Sequence, residues 1–541
     1  MRHVRAVVII ALFLSFTSAV CRAQTPFTVG GDPRVDAEDF RITTFASGLN
    51  FPFGLQQLSD GSLLVATSNP TGGSFFSSTG ELVRLVDADG DGVADGAGQV
   101  LATGLPGMVT GLQRIGDLIF VASSNETAPA ITVLRTGATA ADSLTSVGSV
   151  NLSFPTGTWH TTYALAAWPT PGVSGNFHLS FNIGSQGNHP ASDGANAATA
   201  SGLISGTLTR DSIYKLTVDD TGASTTLSGL TQIAGGLRNA AGIQVHPGTG
   251  DLWFEDNGID GLVDGNEPLS ADELNRISAA DVGGAVEHFG YSDDYIQYRT
   301  GDRVGTGAVQ PVVAFQPLPD ADGSESEGPS QIAFAPANFP AGLRDGIFVG
   351  FHGKFFDSGV ANEENPLVYF DPTTGQYFHF ISNDEPNIGH LNGLLSTNDS
   401  LFLADFGTTT ATTGDGAIYQ IQVTPKPLTA WQNTLERLDV DGDGEVIALD
   451  ALVVINHLNS TGARALQNPP PQFAAPPPFL DVDGNGFLTP IDALLVINFV
   501  NGDQSPMLVP EPSTWVLAIV GLVVLPMGRR FGRRAKRRGR K

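Results

Sequence analysis

The chain has one cysteine in 541 residues, Cys21, and it lies in the N-terminal apolar stretch. The exported protein therefore has no disulfide and no thiol nucleophile. Basic residues are scarce: 28 Lys and Arg face 55 Asp and Glu. Three of the basic residues stand at Arg2, Arg5 and Arg22, and nine between Arg529 and Lys541, which leaves 16 in the body against 55 acids, of which Glu511 alone lies in either end segment. Such a body repels nucleic acid and attracts cations such as calcium. There is no G-x-S-x-G elbow, no H-E-x-x-H, no Walker loop and no G-x-G-x-x-G between strand and helix, which sets several enzyme classes aside. Long amphipathic periods are few. With 65 Gly and 34 Pro, the composition favours many short strands and turns.

Both ends carry targeting signals. Arg2 and Arg5 precede the apolar run AVVIIALFLSF, and Cys21-Arg22-Ala23 ends in a small residue. This is the pattern of a secretory signal over residues 1–23, cut after Ala23. At the other end, Val509-Pro510-Glu511-Pro512, an apolar stretch and an Arg cluster follow in order. Residues 509–541 resemble a PEP-CTERM sorting tail. The resemblance implies passage to the membrane and removal by exosortase-type machinery; a plain C-terminal anchor is the other reading. Trp515–Met527 is short for a span of ~20 residues. The expected location is exported, anchored at the C-terminus or sorted to the cell surface or extracellular matrix.

Six segments share one pattern: Gly near the start, an apolar strand, a turn, and a second apolar strand with a polar end. They start at Ala46, Ala102, Trp159, Gly235, Glu327 and Gly389, and include "SLLVAT", "LIFVAS", "DLWFED" and "SLFLAD". The alternating or continuous apolar runs predict strands. Six copies of one hairpin predict an all-β, six-bladed β-propeller over residues 38–424; a β-sandwich gives no reason for six copies.

Residues 430–501 differ in character. "LDVDGDGEVIALDALVVINHLN" recurs 42 residues later as "LDVDGNGFLTPIDALLVINFVN", across a Pro-rich linker. Oxygen-bearing side chains fall at loop positions 1, 3, 5 and 12, with Gly at 6. The sets are Asp439, Asp441, Asp443 and Asp450, then Asp481, Asp483, Asn485 and Asp492. Calcium takes several hard oxygens around such a sharp turn. The closing acid is Asp, not the Glu of an EF-hand. With the duplication, this small helical unit resembles a type I dockerin, which implies a cohesin-like or other protein partner. A further acidic loop, Asp87, Asp89, Asp91 and Asp95, lacks the 12-residue frame; a calcium loop and a solvated turn both fit it.

In a propeller, residues entering and leaving each repeated hairpin are candidates for one channel mouth. The segments "GLNFPFGLQQLSDGSLLVAT", "SFNIGSQGN", "GLRNAAGIQVHPGTGDLWFEDNG", "ADELNRI" and "HFGY" resemble, in order, motifs of the soluble glucose/sorbosone dehydrogenases. The resemblance covers most of Phe40–Ile421. It implies a quinoprotein propeller using PQQ and calcium to oxidise a sugar or other polyol. His160 matches the family's general base. Arg238 would face a PQQ carboxylate with Asn239 beside it. The carbonyls of Gly258 and Ile259 match the calcium ligands, although the family prefers Pro where Ile259 stands. Gln186 and Lys354 match cofactor contacts; an ordinary turn residue is the other reading of Gln186. Asp272 and Glu273 read as structural. The family's Arg pair before the last blade is replaced by His390-Leu391-Asn392, which removes two charges that would balance a tricarboxylate. Two alternatives stand beside this reading. One is a non-catalytic propeller that binds glycan or protein. The other is a six-bladed metal-dependent lactonase using Asp256 and Asn392.

Overall fold

The computed structural model describes residues 25–502, except 126–127, 156–159, 161–162, 191–197, 263–267, 318–327, 354–365, 383–384, 386–389, 425–429, 434, 468–469, 472–474 and 485. Residues 1–23, read above as a signal, residues 509–541 with Trp515–Met527, read as a sorting tail, and Lys354 and Asn485 lie outside the described residues. No helix among the described residues is long and apolar enough to cross a membrane. The chain forms two compact units, the second containing everything beyond Pro425.

The first unit is a six-bladed propeller. Strand β1 (Phe40–Leu49) stands apart from the first blade, which is β2 (Gly54–Gln57), β3 (Leu63–Pro70), β4 (Ser78–Leu85) and β5 (Gln99–Leu105). The second runs β6 (Met108–Ile115), β7 (Leu118–Ser124), β8 (Ala130–Arg135) and β9 (Thr145–Ser153). Beyond the next hairpin, β12 (Ala198–Gly202) and β13 (Gly206–Leu208) extend that second sheet to six strands. The third comprises β10 (Leu165–Pro169), β11 (Asn176–Ile183), β14 (Ser212–Asp220) and β15 (Thr225–Gly235), with β19 (Glu287–His288) at its edge. The fourth is β16 (Ile243–Val245), β17 (Leu252–Asp256), β18 (Asp272–Ile277) and β22 (Val313–Phe315); β20 (Tyr295–Ile296) and β21 (Arg303–Val304) form a small ribbon before β22. The fifth is β23 (Pro329–Phe334), β24 (Ile347–Phe351), β25 (Leu367–Asp371) and β26 (Gln376–Ile381). The sixth holds β27 (Leu391–Ser396), β28 (Ser400–Asp405) and β29 (Gly416–Val423), and its fourth strand is β1.

The six repeated hairpins are the two inner strands of each blade. Their alternation puts one row of side chains against each neighbouring sheet. Leu118 and Phe120 of the second blade, for example, share a buried cluster with Leu179, Phe181 and Leu216 of the third. β1 pairs with β29 as the outer strand of the sixth blade, so the chain closes the ring with its first strand, which suits an all-β propeller.

The second unit has its own core of Trp431, Leu438, Val440, Val454, Leu480, Val482 and Val496. Helices α1 (Ala448–Thr461) and α2 (Pro490–Gly502) each follow one acidic loop, and a short ribbon, β30 (Arg464–Ala465) with β31 (Phe487–Leu488), joins the repeats. The helix starts are fixed alike: Asp450 Oδ2 accepts from the Ile447 amide at 2.9 Å, and Asp492 Oδ2 from the Thr489 amide at 2.7 Å.

Candidate functional site

Antiparallel pairing brings the start of each inner strand to the end of its partner, so Arg238-Asn239 and Asn257-Gly258 flank β16–β17 on one side. Asn239 Nδ2 donates to Asn257 Oδ1 at 2.7 Å, and Asn257 Nδ2 donates to the Pro329 carbonyl of the next blade at 2.7 Å. Asp256, ending β17, accepts from the amides of Arg238 at 3.0 Å and Asn239 at 2.7 Å. The Arg-Asn corner is therefore held by its own blade.

His160 enters from the third blade. Its Nδ1 lies 2.9 Å from both the carbonyl and the hydroxyl of Ser185. A carbonyl only accepts, and the Ser185 hydroxyl donates to the Gly187 carbonyl at 2.6 Å. Nδ1 therefore carries the proton, and the lone pair is on Nε2. Burial, then the Arg238 charge, holds His160 well below the usual histidine range, so it is neutral at pH 7. Ser185 also joins the two corners, its amide donating to the Arg238 carbonyl at 2.8 Å. Gly184 is required here: a Cβ would sit 2.6 Å from His160 Cβ.

Arg238 is buried, and its guanidinium meets Asp260 at 2.6 Å and Asn188 Oδ1 at 3.1 Å. Asn188 clamps the loop further: its Oδ1 accepts from the Asp260 amide at 2.8 Å and its Nδ2 donates to the Asp260 carbonyl at 3.1 Å. The Tyr291 hydroxyl donates to the carbonyl of Asn188 at 2.9 Å. Gly258 lies against backbone, where a Cβ would meet the Ser270 oxygen at 2.4 Å. Its amide donates to Asp272 at 2.6 Å. The Ile259 carbonyl accepts from the amides of Leu269 at 2.8 Å and Ser270 at 3.3 Å.

Acids crowd this blade. Burial, with Asp256 nearby, pushes Glu273 up to about 8. Burial also raises Asp256 to about 7 against the pull of its two amide donors, and Asp272 to about 6. Glu255, at the centre, is pushed well above the carboxylate range by burial and by Asp256. It is a neutral acid at pH 7.

The last two blades contribute a histidine pair. His390 Nδ1 donates to the His352 carbonyl at 2.6 Å, His352 Nδ1 donates to Asn392 Oδ1, and the two rings lie 5.0 Å apart. His352 packs on Phe406, part of an aromatic cluster with Phe51, Phe53 and Phe75. Phe51 has φ of 47°, a strained value for a bulky residue that is held here by complete burial.

His160, Arg238, Asn239, Gly258 and Ile259 are thus brought to one corner. Gln186 neighbours Ser185 in the chain, while Asp256 and Asn392 stand on separate blades with separate partners. Asn188, Asp260, Tyr291 and His352 were not singled out from the sequence. They link loops of different blades, and no spacing along the chain marks such links.

Asn239 Oδ1 and Asn392 Nδ2 are among the buried polar atoms with no hydrogen-bond partner among the described residues. They leave one acceptor and one donor for a ligand. The features needed to hold PQQ and calcium are otherwise committed. Arg238 is paired with Asp260, both lone pairs of the Ile259 carbonyl face amides, and the described cavity beside Arg238 is about 20 Å³, room for one water. As placed, these residues do not fit a calcium-bound tricarboxylate. A cavity of about 410 Å³ away from this corner is lined by Gln310, Val313, Gln316 and Tyr377, with no carboxylate in its wall among the described residues.

In the second unit, Asp439, Asp441 and Asp450 place one oxygen each within 4.8 Å of one another, and Asp481, Asp483 and Asp492 do the same. Asp443 caps the Glu445 amide at 2.9 Å. Burial, then the neighbouring carboxylates, raises Asp441. Burial, and beyond its amide bonds the Asp481 charge, raises Asp492.

Comparison with known proteins gives three kinds of match. A curated Borreliella burgdorferi protein, described as uncharacterized, is 27% identical over 191 residues, which is 32% of this chain and 46% of that protein. The chain therefore spans about half the length of the curated relative it matches. Among solved structures, a Trichoderma reesei carbohydrate-active enzyme of family AA12, in a calcium structure, is 18% identical with a TM-score of 0.49, covering 74% of this chain and 99% of that one. The holo PQQ domain of Coprinopsis cinerea pyranose dehydrogenase is 16% identical with a TM-score of 0.47, over 74% and 98%. The apo soluble aldose sugar dehydrogenase of Escherichia coli is 13% identical with a TM-score of 0.43, over 71% and 100%. The propeller assignment here rests on the six sheets of this chain. Residues 437–501 match the dockerin type I domain, and this part of the chain is a type I dockerin.

Proposed function

We propose that the protein is an exported propeller enzyme acting on a sugar or polyol hydroxyl, with a calcium-bound dockerin that docks it to a cohesin-like partner. The observation that carries the catalytic half is His160. It is neutral, its Nδ1 proton is committed to Ser185, and Nε2 holds the lone pair. A base in that state takes a hydroxyl proton as the carbinol is oxidised. Asn239 Oδ1, buried and without a donor, would accept from a second substrate hydroxyl. PQQ, when bound, supplies a two-electron acceptor; Asp260 would have to yield Arg238 before a cofactor carboxylate could be held there.

The docking half is supported by the exposed apolar pairs Leu449 and Leu452 on α1 and Ile491 and Leu494 on α2. These occupy equivalent positions of the two repeats. A dockerin also agrees with an extracellular or cell-surface location.

The Arg238–Asp260 ion pair favours a second reading, a propeller that binds glycan without turning it over. The test adds PQQ and calcium to the exported chain and follows cofactor absorbance and dye reduction over a panel of sugars and polyols. Substrate-dependent reduction supports the first reading. Its absence, with sugar binding still measurable by calorimetry, supports the second.

A further inference from the structure

The loop between β4 and β5 carries Asp87, Asp89, Asp91 and Asp95, none with an ion-pair partner among the described residues. We infer that it binds a calcium ion, at the seam where β1 closes the ring. This does not depend on the proposed catalytic function. Asp87, Asp89 and Asp95 each offer an oxygen, all within 4.8 Å of one another.

The first dockerin loop of the same chain provides an internal standard. There, Asp439 Oδ1 accepts from the amides of Gly442 at 2.8 Å and Asp443 at 3.2 Å, and its Oδ2 from Gly444 at 3.0 Å. In the propeller, Asp87 Oδ1 accepts from Gly90 at 2.8 Å and Asp91 at 3.2 Å, and its Oδ2 from Gly92 at 2.9 Å. Gly90 and Gly92 have φ of 74° and 82°, as Gly442 and Gly444 have 79° and 91°, values that a side chain resists. The closing acids act alike despite the shorter frame. Asp450 accepts from the Val440 amide at 2.7 Å, and Asp95 from the Ala88 amide at 2.6 Å.

An observation outside the acidic loop also points to a ligand. Gln420 of β29 is 6% exposed, and its buried Oε1 has no donor. That oxygen lies 3.1 Å from where a Gly92 Cβ would stand, and Gln420 shares a cavity of about 250 Å³ with Asp87, Asp60 and Asp399. The donors beside it, Thr43 Oγ1 and Arg41 Nη2, are turned to the Gly92 and Gly90 carbonyls. A cation and its coordinated waters would supply what the Gln420 oxygen lacks.

The loop is already tied to the closing strand. Thr43 Oγ1 donates to the Gly92 carbonyl at 2.7 Å, Arg41 to the Gly90 carbonyl at 3.3 Å, and the Ala94 amide to the Phe45 carbonyl at 2.8 Å. An ion in the loop would fix the geometry that these bonds require, and so stiffen the junction of the first and last blades.

The test counts calcium on the full exported chain by equilibrium dialysis at millimolar calcium, the range of weak extracellular sites. Asp89→Asn and Asp95→Asn are each expected to bind one ion fewer than wild type while keeping its melting temperature in chelator. Hydrogen exchange on wild type requires no variant: calcium should slow exchange of the amides from Gly90 to Asp95. Unchanged stoichiometry in both variants overturns the inference, as does calcium-independent exchange in that loop.

Discussion

The propeller mouth and the dockerin loops both gather acids, and arrange them differently. At the mouth, Glu255, Asp256, Asp272 and Glu273 are buried on one blade, and burial raises all four. Their charge is removed by protonation, by amide donors or by Arg238. In the dockerin, the first, third and last acids of each loop converge on a point, and their charge awaits a cation. Burial raises acids in both regions, Asp441 and Asp492 included, and backbone amides meet acids in both, as at Asp256 and Asp439. The difference lies in convergence: only the loop acids bring three carboxylate oxygens to one point, the arrangement that a cation fills.

The largest expected effect is on the dockerin side. Chelation should unfold the 430–501 unit, because clustered carboxylates repel one another without the ion. Loss of helical circular dichroism from an isolated 430–501 fragment, regained with calcium, checks this; full helicity in chelator would break the contrast. At the mouth, His160→Ala should cut turnover by ~10²–10⁴-fold, the usual worth of a positioned base, and leave sugar binding nearly intact. Steady-state kinetics and calorimetry together separate the two.

A smaller effect is expected at Arg238. Asp260→Asn should tighten binding of PQQ by about ten- to a hundredfold, since it frees a charge-assisted bond worth roughly 1.5–3 kcal/mol. Arg238→Ala should weaken it by a similar factor. Absorbance titration reads both, and equal affinity in the two variants would remove Arg238 from cofactor binding.

The last expected effect is a pH slope. Glu273 titrates near 4.5 in the unfolded chain and at about 8 in the fold. Between those values the folded state holds the extra proton, so the stabilisation is full below about 4.5 and is lost as pH rises through 8. Thermal melts of Glu273→Gln should show a flatter fall across that window than wild type. Parallel curves would mean that Glu273 is not the group responsible.

The six hairpins and the duplicated acidic frame were legible because both are local. Continuous apolar runs such as "SLFLAD" between turn signals declare strands, and Asp-x-Asp-x-Asp-Gly declares a turn whichever fold surrounds it. Arg238, Asn239 and Asn257 were legible at one remove, because hairpin pairing fixes which ends meet. Asp260 was not. Its bond to Arg238 and its clamp by Asn188 of another blade depend on how the ring closes. The same applies to His352, whose neighbour His390 lies 38 residues on. The Ile259 carbonyl shows a further limit: motif position marks a backbone oxygen, but only the fold shows that two amides already use it.

The pairing of β1 with β29 joins Arg41 to Gln422 and Phe40 to Val423. That contact spans nearly the whole propeller sequence, and contacts of such separation form late. For a chain threaded outward from its N-terminus, β1 emerges first and waits longest for a partner. The ring cannot lock until the residues from Gly416 on have followed, so a β1 left unpaired until then would be an open strand edge.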